Sequence, residues 1–363
     1  MALMGPDIFP ANRLDPAVKT GLILCGMGGP DGPDAVRPFL RNLFKDPLIF
    51  PAPRLIAPIL GWAISTFRAP KVRERYRQMN PDCVSPQMET TLMQATELSH
   101  LLGGFGFQII PGIAMRYWRP YPTQTVAEML GAGAVQFLVV PMYPQYSSAT
   151  NGSTLAFVQD AIQRHAPTAR IHMLSGWGML PGFLAALARP GIEQLTAWAE
   201  AGRPARECGL VYVAHSLPQR FIDQGDPYLD FTLATVRDVQ LRILRALADR
   251  GHGAWAKQVL GADAVPAFQS RVGPIEWLGP EVTEVVRLKA QDGCRRLLVQ
   301  PVSFTCEHIE TLIELDDELK EDAESFGVTE FHRGPALNLD HEWLRSMAAM
   351  LADQAFAGEL HRA

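Results

Sequence analysis

Arg296-Leu-Leu-Val-Gln-Pro-Val-Ser-Phe-Thr-Cys-Glu-His-Ile-Glu-Thr-Leu-Ile-Glu-Leu-Asp-Asp-Glu318 is the stretch from which the fold can be read. Its first seven residues close a largely apolar run, the pattern of a strand buried on both faces. At Ser303 to Thr305 the chain turns into helical spacing, and Glu310, Glu314 and Glu318 then recur at i, i+4 and i+8 on one helix face. Like charges so placed weaken a helix by a few tenths of a kcal/mol per pair. Taken alone the row reads as a solvated acidic face; the alternative is a row whose repulsion is relieved by a cation.

Moving outward, similar apolar runs occur at Gly21–Cys25, Gln108–Ala114, Val135–Met142, Arg170–Leu174, Gly209–Val213, Val265–Gln269, Arg295–Val302 and Val328–Phe331, with helical patterns between them. Strand–helix alternation of this kind predicts βαβ units and doubly wound parallel sheets. The runs fall into two sets of four around a helical, polar region at 184–207. We therefore expect an α/β protein of two similar Rossmann-like domains, each a mostly parallel four-stranded sheet flanked by helices. The boundaries read from the sequence are 18–188 and 189–335, with 336–363 a terminal helix packing across the junction. Ligands in such sheets collect beyond the carboxyl ends of the strands.

A length of 363 residues with 47% hydrophobic and 20% charged residues is ordinary globular composition, enough for two cores. Net charge of −5 and the lack of any basic stripe argue against nucleic acid as a partner. The five cysteines are scattered without a Cys-x-x-Cys pair, which speaks against a disulfide scaffold or metal cage and fits a reducing compartment. Met1 to Lys19 has neither a basic region followed by an apolar core nor the Arg-rich character of a transit peptide. No run reaches the roughly 18 apolar residues of a membrane span. The expected location is cytoplasmic, with peripheral attachment to the inner face of a membrane left open. The loop Cys25-Gly-Met-Gly-Gly-Pro-Asp-Gly32 invites a dinucleotide-site reading, but the spacing requires glycine where Asp31 stands, and Pro30 removes an amide donor.

A second strand-to-turn junction reads Gly209-Leu-Val-Tyr-Val-Ala-His-Ser-Leu-Pro218 and puts His215 directly after an apolar strand. Ala214-His-Ser-Leu-Pro218 and Phe304-Thr-Cys-Glu-His-Ile-Glu-Thr-Leu312 together closely resemble the two active-site signatures of the ferrochelatases, the family that inserts Fe2+ into a porphyrin to make haem. Tyr143-Pro-Gln-Tyr-Ser147, Gln269-Ser-Arg-Val-Gly-Pro274 and Arg333-Gly-Pro-Ala-Leu-Asn338 extend the resemblance in family order from about Leu22 to Asn338. The resemblance implies a chelatase-like fold and an enzyme acting on porphyrin and Fe2+ as substrates, with no prosthetic group or bound nucleotide. Some members carry an iron–sulfur cluster on C-terminal cysteines; nothing after Cys306 would supply such ligands here, so no cluster is expected.

On the same grounds His215 and Glu310 are expected to form the inner metal and proton site from opposite cavity walls, with Glu314 and Glu318 extending outward as a carboxylate path. His308 is expected to orient or support. Glu307 stands where relatives often have Asp. The porphyrin would be lined by Met27, Arg68, Tyr76, Ser85, Arg116, Tyr117, Tyr143, Tyr146, Trp277 and Phe304, with Trp177 a further wall candidate. The 47–67 segment corresponds to the family's lip, which admits porphyrin and can touch a membrane. Met27 favours protoporphyrin IX, since coproporphyrin-using relatives usually carry Tyr there. A coproporphyrin III enzyme, another tetrapyrrole metal chelatase, and a non-catalytic porphyrin or haem carrier are the alternatives. A carrier could dispense with the His215–Glu310 pair.

Overall fold

The computed structural model describes residues 5–46, 57–271, 273 and 275–356. Among the described residues eight strands form two parallel sheets. The strands of the first are β1 Thr20–Gly26, β2 Ile109–Met115, β3 Gln136–Pro141 and β4 Arg170–Met173, in the order β2-β1-β3-β4. Those of the second are β5 Cys208–His215, β6 Pro266–Gln269, β7 Arg296–Pro301 and β8 Glu330–Arg333, in the order β6-β5-β7-β8. Every pairing is parallel. β1 and β3 are buried at every residue and β5 at all but its last, as expected of strands covered by helices on both faces.

The chain divides into two compact units, the first made of the described residues on either side of Trp177–Ser346 and the second of Trp177–Ser346 itself. The first unit centres on Ile23, Phe137, Val139, Leu155, Val158 and Ile162; the second on Val211, Val213, Val286, Leu297, Val299 and Leu315. The division at 176/177 precedes the helix Pro181–Glu200, so the expected boundary at 188/189 falls inside one continuous helix. That helix is also less polar than its sequence suggested, since Phe183, Leu184, Leu187, Leu195 and Trp198 are all buried. At the chain's other end the division falls within the helix His341–Ala355, at Ser346.

The segment after β7 departs most from its expected form. Instead of one α-helix it runs α over Ile309–Leu312, π over Glu314–Leu319, and α again over Lys320–Ser325. The amide of Glu318 reaches back five residues to the Ile313 carbonyl at 2.9 Å. The sequence supplies a reason. Thr311, Leu315, Leu319 and Ala323, spaced strictly by four, are all buried. At 3.6 residues per turn each step of four overshoots by roughly 40°, which would carry the last of them off the core. A wider turn in the middle cancels that drift. The acidic row, one position ahead, is kept aligned by the same device.

Candidate active site

His215 ends β5, and Glu310 opens the first helical turn after the neighbouring β7. The two side chains touch, His215 Nε2 lying 3.3 Å from Glu310 Oε1. Both belong to the second unit and rise from adjacent strands of one sheet, so they stand side by side rather than on opposite walls. His215 Nδ1 lies 2.6 Å from the Ser216 carbonyl. A carbonyl can only accept, so Nδ1 carries the hydrogen and Nε2 is the atom that exchanges a proton or meets a metal. The strand end is pinned in turn by Tyr228, whose hydroxyl donates to the His215 carbonyl at 2.8 Å, and by Ser216, whose hydroxyl donates to the Leu278 carbonyl at 2.8 Å.

Glu310 is shared between two imidazoles, its Oε2 lying 3.0 Å from His308 Nε2. Burial would raise the Glu310 carboxyl, but His308 and His215 outweigh it and hold the group well below the ordinary carboxylate range. Burial would lower the His215 imidazolium, and the Glu310 carboxylate reverses this, pushing it up to about 9. The His308 ring packs edge-on against Phe304 at 4.7 Å, which fixes its plane.

Beyond this pair the acidic row reaches the surface at Glu318. The Glu310 side chain is 20% exposed, Glu314 is half-buried and Glu318 is exposed. Glu314 Oε2 accepts from the Ser270 hydroxyl at 2.5 Å and from Gln269 Nε2 at 3.0 Å. Gln269 Nε2 also donates to the Glu310 carbonyl at 2.9 Å. Below the row, the Arg333 guanidinium binds Asp316 at 2.8 and 2.7 Å and Glu307 at 2.8 Å, so one cation ties the π turn to the loop before it. The Ala336 amide adds a 2.9 Å bond to the same Glu307 oxygen. The longer side chain at 307 therefore reaches its partners. Among the described residues no three His, Cys, Asp or Glu side chains form a ready metal cage.

Phe304 and Trp277 lie in this unit. Phe304 is buried, and Trp277 is half-buried in a short bridge to Pro218, flanking the turn after His215. Trp177 proves to be core: it stacks on Trp343 at 5.5 Å and meets Phe183 edge-on. The remaining expected lining residues belong to the first unit. Met27 is half-buried just past β1, and its carbonyl accepts the Tyr117 amide at 3.0 Å. Arg116 and Tyr117 both donate to Asp46 Oδ2, at 2.5 and 2.6 Å. Tyr143 is half-buried, its carbonyl accepting from the Asn151 amide group at 2.8 Å. Arg68 is exposed, 5.5 Å over the Phe44 ring, and Tyr76 is buried.

Ser85 and Tyr146 both have packing roles within the first unit. Ser85 caps the helix Pro86–Gly104 and packs against Gly29, where an added Cβ would meet its own at 2.5 Å. Tyr146 is 1% exposed within the first core. Residues 47–56 of the expected lip lie outside the described residues; the rest is the start of the helix Ala57–Met79. Gln269, Ser270, Asp316 and Arg333 had no assigned role from sequence, although Gln269, Ser270 and Arg333 sit inside matched blocks.

The sequence profile of a family described as Ferrochelatase matches residues 19–355. A ferrochelatase of Geotalea uraniireducens is 36% identical over 92% of this chain and 97% of its own length. One of Thermosynechococcus vestitus is 35% identical over 94% and 83%, and one of Gloeobacter violaceus 35% over 92% and 97%. Among solved structures, CbiX, the terminal enzyme for biosynthesis of sirohaem in denitrifying bacteria, aligns with a TM-score of 0.44 at 16% identity, over 92% of this chain and 98% of that one.

Proposed function

Since this chain belongs to the ferrochelatase family, and so is an enzyme that inserts iron into a porphyrin for haem synthesis, we propose that His215 and Glu310 carry the exchange and that the porphyrin is protoporphyrin IX. The observation that supports the pair most directly is the 3.3 Å approach of His215 Nε2 to Glu310 Oε1 at adjacent strand ends. Metallation removes two pyrrole protons and delivers one dication. An imidazole of fixed tautomer and a carboxylate held ionised beside it form a proton-sharing pair that, once it has released its own proton, can accept one from a pyrrole or meet Fe2+ with the mixed nitrogen and oxygen donors that suit it. Glu314 and Glu318 continue the row to the surface and give cations a way in or protons a way out. A non-catalytic carrier would need none of this.

Met27 supports protoporphyrin IX, its soft thioether suiting contact with a flat apolar ring. Arg116, Tyr117, Tyr143, Arg68, Trp277 and Phe304 remain the proposed contacts for the macrocycle and its carboxylates. We further propose that no iron–sulfur cluster is carried. All five cysteines are buried, and burial pushes the thiols of Cys25, Cys208, Cys294 and Cys306 up, Cys208 to about 11 and Cys306 to about 12, whereas a cluster needs thiolates. Among the described residues no helix is long and apolar enough to cross a membrane. Exposed Ile59, Trp62 and Phe67 beside Arg68 support peripheral contact of a cytoplasmic enzyme with a lipid surface.

The test is anaerobic turnover with Fe2+ and either protoporphyrin IX or coproporphyrin III. His215→Ala is expected to abolish insertion while porphyrin still binds; near wild-type turnover overturns the assignment. Faster turnover with coproporphyrin III overturns the choice of substrate.

A further inference from the structure

Ser270 adopts φ +66°, one of three non-glycine residues with positive φ among the described residues. A serine pays a conformational cost there that glycine would not, and residues held in such backbone cluster where structure serves function. What this backbone secures is the contact to Glu314. The residue follows β6 directly, and in this conformation its hydroxyl lies 2.5 Å from Glu314 Oε2. Gln269, the last residue of β6, gives its amide group to that same oxygen at 3.0 Å and to the Glu310 carbonyl at 2.9 Å. It thereby spans the turn that separates the two acids. Its side chain is anchored, being 3% exposed.

The chemistry of the donors is informative. A lysine or arginine at this place would bind Glu314 more tightly but would cancel its charge. A hydroxyl and a carboxamide orient the carboxylate without adding a charge of their own. We infer that Gln269 and Ser270 are positioning residues for metal delivery: they hold the Glu314 carboxylate in register between Glu310 and Glu318, and the serine's strained backbone is retained for that contact. The inference rests on the proposed acidic path, and it makes the end of β6 a determinant of how well the enzyme handles its metal rather than its porphyrin.

The pair can be tested in the full-length enzyme. Ser270→Gly removes the hydroxyl and relieves the backbone; Ser270→Ala removes the hydroxyl alone. Both are expected to lower kcat/KM for Fe2+ about tenfold while porphyrin affinity, read by fluorescence quenching, is unchanged. Ser270→Gly is expected to melt no lower than wild type, an outcome a merely structural serine would not combine with lost activity. In a Glu314→Gln background either substitution is expected to add nothing, because the effect runs through that carboxylate. Slow Glu314→Gln with full-rate Ser270→Gly overturns the inference and leaves the acidic path standing. Glu314→Gln at wild-type rate overturns the path itself, and the inference with it.

Discussion

The two sheets are built alike nearly to the residue, and what differs is gathered at their carboxyl ends. Cys25 pairs with Ala114 on one side and Pro141 on the other, just as Val213 pairs with Ala267 and Pro301. The Met115 and Phe268 amides each reach a proline carbonyl, of Pro120 and Pro280, at 2.8 Å. Each unit also has a π turn after its third strand, Ser148–Gly152 in one and Glu314–Leu319 in the other. In this register Met27 is the counterpart of His215, and Arg116-Tyr117 of Gln269-Ser270. Both of those pairs grip a carboxylate. Arg116 cancels the charge of Asp46 with its own, whereas Ser270 and Gln269 bring no charge to Glu314. One scaffold therefore supplies two strand-end pairs, one holding its carboxylate with a cation and a phenol and the other with two neutral donors.

The strongest way to break this comparison is to make the same change at both counterparts. His215→Ala is expected to lower iron insertion by at least about a hundredfold, since a positioned acid–base group alone contributes roughly 10²–10⁴. Met27→Ala is expected to stay within about tenfold. Equal losses, measured anaerobically with Fe2+ and protoporphyrin IX, would mean that the chemistry is shared between the two strand ends.

Next in size is the ion cluster beneath the acidic row. The Arg333 side chain is 9% exposed and faces both Asp316 and Glu307, which it would leave unpaired if removed. Arg333→Met is therefore expected to destabilise the second unit by about 3 kcal/mol. Arg189, 42% exposed between Asp340 and Glu342, is expected to cost under about 1 kcal/mol on the same change. Urea unfolding followed by tryptophan fluorescence measures both. A small loss at Arg333 would show that the π turn is held by Leu315 and Leu319 alone.

Most of this scaffold was legible in the sequence, because each strand is a local apolar run. All eight expected runs became strands, with ends shifted by at most two residues. His215 and Glu310 were legible through the resemblance of residues 214–218 and 304–312 to the family's two signatures, not through the runs alone. The π winding was harder to see. Its signal, two interleaved rows spaced strictly by four, is present, but the carboxylates at 310, 314 and 318 are equally compatible with an α-helix face until the burial of Leu315, Leu319 and Ala323 is known. Arg333 with Asp316, 17 residues apart, and Ser270 with Glu314, 44 apart, are contacts that only the sheet order creates. No local pattern announces them.

Two histidines sharpen the contrast through pH. Glu310 pushes His215 up to about 9, overriding its burial. His172, in β4 of the other unit, is lowered by burial, with Arg13 acting in the same direction. The signs therefore oppose. His215 contributes stability that is fully present below its unfolded value near 6.5 and is lost as pH rises through about 9. His172 contributes stability present above that unfolded value and lost as pH falls through its lowered one. Imidazole NMR is expected to place the two titrations on opposite sides of an ordinary histidine, and Glu310→Gln to bring only His215 back down. If His215 stays high without Glu310, its charge is set elsewhere.

The smallest expected effect concerns which ring is accepted. Met27 stands one residue past β1, half-buried, with its backbone fixed by the Tyr117 amide. Its main chain will therefore not move to accommodate a new side chain. Met27→Tyr replaces a flexible thioether with a rigid ring carrying a polar tip, which suits a macrocycle with more carboxylate groups and disfavours one with apolar vinyl edges. The ratio of turnover with protoporphyrin IX to that with coproporphyrin III is expected to fall about fivefold, within what single pocket contacts usually discriminate. The His215 titration is expected to stay where it was. A change of ratio together with a shifted His215 would show that the two strand ends do not act independently, and that selection of the ring and transfer of its protons are one event.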